Sequence, residues 1–91
     1  MKIEFAKPHS FEGQEYNGLE LDLDGLTGND LIAAEKETRA MGSQTPVVEF
    51  SKTYQAVVGA KAANVPVDMI TSLPAREFSR ITVYVANFLL E

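Results

Sequence analysis

The sequence predicts an α+β fold, a small antiparallel β-hairpin or meander followed by three to four helices. Two observations predict it. Leu19, Leu21 and Leu23 alternate with Glu20, Asp22 and Asp24, the period of a strand with one buried and one wet face. From Thr27 onward the apolar residues instead recur at helical spacing.

The hairpin region covers residues 1–25. Ile3 and Phe5 alternate with Lys2 and Glu4. Pro8-His9-Ser10 reads as a turn or loop, and Gly13 within Phe11–Tyr16 gives a second turn signal. The helical region covers residues 27–90. Thr27 is a suitable N-cap with Asp30 at the third helical position, and Leu26 and Leu31 are placed for a hydrophobic staple. Leu31, Ala34, Thr38 and Met41 form one stripe, Glu35 and Arg39 can pair, and Gly42 ends the helix. A second helix is expected to open at Thr45-Pro46. Its expected apolar stripe is Val47, Phe50, Tyr54, Val57 and Val58. Its other face is small: Ala56, Gly59, Ala60 and Ala63. Asn64-Val65-Pro66 stops it. Residues 66–73 predict a short helix carrying Met69, Ile70 and Leu73. Pro74 then starts a last helix reaching about Leu90. No repeat or linker divides the chain, so residues 1–91 read as one domain.

Composition narrows the function. The chain has 91 residues, no cysteine and a single histidine. That leaves no disulfide framework and no thiolate metal site. No apolar run approaches the roughly 20 residues a membrane helix needs, and the charged N-terminal stretch does not resemble a signal peptide. The expectation is a soluble intracellular protein that does not engage membrane. Residues 1–50 carry 10 acidic and 4 basic side chains, a balance of −6, whereas residues 51–91 carry 3 and 4, a balance of +1. Nothing here is the basic face that nucleic acid requires.

No motif carries chemistry. Asp22-Leu23-Asp24-Gly25 has the start of a calcium loop, but its twelfth residue is Ala33 where a bidentate glutamate belongs. A solvated strand face explains it better. His9 lacks the partners that a catalytic or metal-binding role needs. Gly18, Gly25 and Gly28 do not have phosphate-loop spacing. Glu35-Lys36-Glu37 is a charged helix face. Arg76 and Arg80 lie one turn apart and could bind an anion, although solvation and Glu77 weaken that reading. The expectation is a non-enzyme with no cofactor and no metal.

The last helix is the feature that composition leaves unexplained. Phe78, Ile81, Val85, Phe88 and Leu89 make one apolar stripe. Val83, Ala86 and Leu90, with Asn87 between them, make a second on roughly the opposite side. Either the helix is central to its own fold, with the small face of the second helix receiving one side, or a partner covers it. Val83, Ala86, Asn87 and Leu90 are therefore the candidate partner-binding residues.

The order of these signals resembles the tail assembly chaperones of long-tailed bacteriophages and related prophages. The likeness lies in Phe11–Tyr16, Leu19–Leu31, Ala34-Glu35-Lys36-Glu37 ahead of a glycine, Leu73–Phe78, and the closing Asn87-Phe88-Leu89-Leu90. It covers nearly the whole chain, through structural rather than chemical motifs. The resemblance implies a non-catalytic protein of the host cell cytoplasm. Such a protein binds the tape measure protein, helps the tail tube protein polymerise around it, and is absent from the mature virion. A longer frameshifted form is common in that family. It transfers no catalytic or contact residues. Self-association into a homo-oligomer is a further expectation, because the second stripe needs cover. The rival readings are a structural tail or connector component retained in the virion, and a small enzyme or ligand-binding domain using a carboxylate pair such as Asp22 and Asp24.

Overall fold

A computed structural model describes all of residues 1–91. The chain forms an N-terminal antiparallel hairpin and four helices, an α+β fold. The strands are β1 (Lys2–Phe11) and β2 (Gln14–Glu20), and the helices are α1 (Gly28–Ala40), α2 (Lys52–Ala63), α3 (Val67–Thr71) and α4 (Ala75–Leu89).

Glu12 and Gly13 join the strands with φ of 49° and 78°. Two consecutive left-handed residues match the right-handed twist of the flanking strands, and glycine takes the second at no steric cost. The ladder pairs Lys2–Glu4 with Gly18–Glu20, and His9–Phe11 with Gln14–Tyr16. Between these blocks Phe5, Ala6, Lys7 and Pro8 face Asn17 alone. The expected turn at Pro8-His9-Ser10 is thus a bulged strand. Pro8 has no N–H for a ladder and is tolerated in a bulge.

The strand ends at Glu20, short of the full Leu19–Leu23 alternation, yet Leu19, Leu21 and Leu23 are all buried. Leu21 exchanges two backbone hydrogen bonds of 2.8 Å with Met1. The Asp22 N–H then turns to the Ala62 carbonyl at 3.0 Å. That bond fixes the hairpin's exit to the end of α2.

At α1 the cap is as expected. The Thr27 hydroxyl accepts from the Asp30 N–H at 3.3 Å, and the Asp30 carboxylate accepts from the Thr27 N–H at 2.8 Å. Ala34 and Thr38 are fully buried, with the Thr38 hydroxyl donating to the Ala34 carbonyl. Leu26 and Leu31 are half-buried against the core. Met41 lies past the last turn and is 48% exposed, so the inward stripe stops one turn early.

The second helix starts later than expected. Lys52, not Pro46, opens α2, capped by the Ser51 hydroxyl, which accepts from the Tyr54 N–H. Thr45 and Glu49 spend their carbonyls on side chains: Arg39 donates to Thr45 at 2.8 Å and Gln55 to Glu49 at 2.9 Å. Val48–Phe50 makes only a 3-10 turn. Val47 and Phe50 consequently point outward, Phe50 at 63% exposed.

Helix α2 is the centre of the molecule. Every residue from Tyr54 to Ala60 is buried, and α1, α3, α4 and β2 all pack against it. Asn64 ends it in the left-handed conformation, which asparagine tolerates. Pro66 and Pro74 stand just before α3 and α4 rather than at their first helical positions. Seventeen buried apolar residues form one cluster drawing on the hairpin and all four helices.

Candidate partner-binding site

Helix α4 has two unlike sides. Ile81 and Val85 are completely buried, and Phe78, Phe88 and Leu89 are half-buried against the core. This side seats on the small face of α2, because Gly59 leaves room for the Ile81 and Val85 methyls. A Cβ on Gly59 would sit 2.9 Å from Ile81 Cγ2. Two polar residues are buried as well. Thr82 takes a hydrogen bond from Lys52 Nζ at 2.9 Å, and Glu77 is held by Arg80 at 3.3 Å. Arg80 also donates to the Glu4 carbonyl at 2.9 Å. One guanidinium thus neutralises a buried carboxylate and ties α4 to the last residue of the ladder before the bulge.

The opposite side is open. Val83 is 51% and Leu90 53% exposed, Asn87 is exposed, and Ala86 is half-buried at the margin. The four candidate residues therefore lie on the outer half of one helix, and α4 is amphipathic rather than apolar all round. A shallow depression beside them is lined by Met1, Ser79, Arg80, Val83, Tyr84 and Asn87. Met1 and Tyr84 were not among the residues the sequence pointed to. Tyr84 could have been found from its place one turn from Arg80. Met1 could not, because only the ladder brings it to α4.

The other sequence candidates are placed elsewhere. The Asp22 carboxylate accepts from the Gly25 N–H at 3.1 Å, closing the turn after Leu23. No three His, Cys, Asp or Glu side chains are grouped to hold a metal ion. His9 Nε2 lies 2.9 Å from the Ser72 hydroxyl, which itself donates to the Met69 carbonyl at 2.8 Å. That contact makes the His9 ring a strut between β1 and the end of α3. Arg76 shares a shallow cleft with Lys7 and His9, with Pro74 and Glu77 in its wall. The Tyr54 phenol has its pKa raised by burial and then by the nearby Glu49 and Glu35 carboxylates. Its hydroxyl lies 3.5 Å from the Leu31 carbonyl, and it faces no cleft chemistry.

No helix is long and apolar enough to cross a membrane. A scan of known family models finds no match, and neither curated proteins nor solved structures yield one.

Proposed function

We propose that this chain is a non-catalytic tail assembly chaperone of the long-tailed phage type. In this reading it works in the host cell cytoplasm, binds the tape measure protein, and assists assembly of the tail tube protein around it. It self-associates and leaves before the particle is complete. One observation carries the reading beyond the sequence resemblance. Val83 and Leu90 stand half-exposed on a helix whose other side already fills the core. A protein that holds a long helical client soluble needs apolar surface at controlled positions and net charge to stay dispersed. The overall charge of −5 provides the second.

The test is co-expression with the long helical open reading frame expected nearby. Burying each apolar side chain is worth about 1.5–3 kcal/mol, so Val83→Glu with Leu90→Glu is expected to weaken client capture by well over tenfold while circular dichroism stays native. A folded double variant that still solubilises the client at normal yield places the grip elsewhere. Mass spectrometry of purified particles provides the second arm. Retention of the chain there makes it a structural tail or connector component instead.

A further inference from the structure

The bulge of β1 and the first turn of α4 meet at a cleft that the proposed function leaves unused. Lys7 lies inside the bulge and Arg76 in that first turn, and both line the cleft, whose volume is about 430 Å³. Neither takes part in an ion pair. The one acid in the wall, Glu77, does not balance them, because it is buried and already held by Arg80 at 3.3 Å. Sequence spacing pairs Arg76 with Arg80. The fold instead commits Arg80 to Glu77 and to the Glu4 carbonyl, and brings Lys7 to Arg76. Lys7 and Arg76 thus stand as two uncompensated positive charges in a chain of net charge −5. The frame around them is fixed. Arg80 pins one end of the bulge at Glu4 with a bond of 2.9 Å, and Ser72 pins the other at His9, also at 2.9 Å. The Phe5 and His9 rings meet edge to face between these pins, with centroids 6.4 Å apart. Bulges re-aim side chains, and this one holds Lys7 beside the start of another element.

We infer that this cleft binds a phosphate group, carried by a small phosphate monoester. Charge count selects the ligand. A monoester bears about −1.5 to −2 at pH 7, which matches the two cations, whereas a carboxylate would leave one of them uncompensated. The Arg76 guanidinium has the planar fork that suits two oxygens of one phosphate, and Lys7 supplies a point charge from β1. Ala6, Pro8 and Pro74 line the same cleft and offer apolar surface to the organic part of such a ligand. Both cations are exposed, so water screens each contact and the affinity is expected to be weak, roughly millimolar. The site shares no residue with Val83, Ala86, Asn87 and Leu90, and the inference does not rest on the tail-assembly reading.

Inorganic phosphate, phenyl phosphate and benzoate are the probes, titrated at constant ionic strength and followed by amide NMR. Phenyl phosphate is expected to give saturable shifts at Lys7, His9 and Arg76, and to bind about three- to tenfold more tightly than inorganic phosphate. Equal affinity for the two phosphates refutes the role given to Pro8 and Pro74. Benzoate keeps the ring but carries one charge, and is expected to bind at least about fivefold more weakly than phenyl phosphate. Benzoate binding as tightly overturns the phosphate assignment. Absence of saturable shifts at these residues at about 20 mM phenyl phosphate, well above the expected constant, overturns the site. Lys7→Gln and Arg76→Gln are each expected to weaken binding about three- to tenfold. Lys2→Gln and Lys36→Gln remove exposed cations outside the cleft and are expected to leave binding unchanged. Equal losses in all four variants would show a diffuse charge effect and overturn the site. Arg76→Lys is expected to recover only part of the loss, since it restores the charge without the fork, and full recovery refutes the two-oxygen contact. All four positions are exposed, and native circular dichroism in each variant separates loss of binding from loss of fold.

Discussion

Helices α2 and α4 carry comparable apolar content and are used in opposite ways. Helix α2 is buried from Tyr54 to Ala60 without a break, so it has no outer face along that stretch. Helix α4 buries Ile81, Thr82 and Val85 and leaves Val83, Asn87 and Leu90 outside. Side-chain size separates them. Ala56, Gly59, Ala60 and Ala62 make α2 slim enough for neighbours to approach it on several sides at once. The bulky residues of α4 instead concentrate on one side. The central helix of a small fold is thus marked by small residues rather than by the greatest hydrophobicity.

That contrast can be broken or sharpened by substitution. The largest effect is expected at the contact between the two helices. Ile81→Ala removes a fully buried side chain seated over Gly59 and is expected to cost about 2–5 kcal/mol in a urea melt. Gly59→Val approaches the same contact from the other side. Its Cβ would start 2.9 Å from Ile81 Cγ2, and overpacking of this kind costs about 1–3 kcal/mol. A Gly59→Val protein as stable as the unmodified chain would show that α4 can slide away from α2.

A smaller effect concerns Tyr54, whose pKa is raised by burial and by the Glu49 and Glu35 carboxylates. The unfolded chain ionises this phenol near pH 10, while the folded state resists doing so. The stabilising difference is complete below that pH and is lost as pH rises through the higher folded value. Alkaline melts of the unmodified protein should fall more steeply above pH 10 than those of Tyr54→Phe. Equal slopes would show that the phenol is solvated. The smallest change in stability is expected at the outer ridge. Val83→Glu should shift unfolding by no more than about 0.5 kcal/mol, and a loss of several kcal/mol would make Val83 part of the core.

Much of the fold was legible in local signals. Thr27 and Asp30 form the expected capping box, Gly13 sits in the hairpin loop, and Asn64-Val65-Pro66 ends the central helix. These features are governed by neighbouring residues alone. What escaped depends on distant ones. Thr45-Pro46 has the local form of a helix start, but Arg39 and Gln55 capture nearby carbonyls and delay the helix to Lys52. Pro8-His9-Ser10 has the form of a turn, but His9 is held by Ser72, 63 residues away. The outer position of Val83, Asn87 and Leu90 was legible from period alone. Helical geometry puts them on one side whatever lies on the other. The neighbouring Met1 was not, since a strand register brings it there.

The bulge in β1 bears on how this protein behaves when crowded. A two-stranded sheet has two free edges, each with backbone groups able to recruit a strand from another molecule. In β1 the ladder breaks across Phe5–Pro8, Lys7 places a charge within the break, and Pro8 offers no N–H at all. An incoming strand would meet two short stretches of matching groups instead of one long one. The irregularity that hid the strand from its own sequence is thus also what makes the outer edge of β1 a poor template for a further strand.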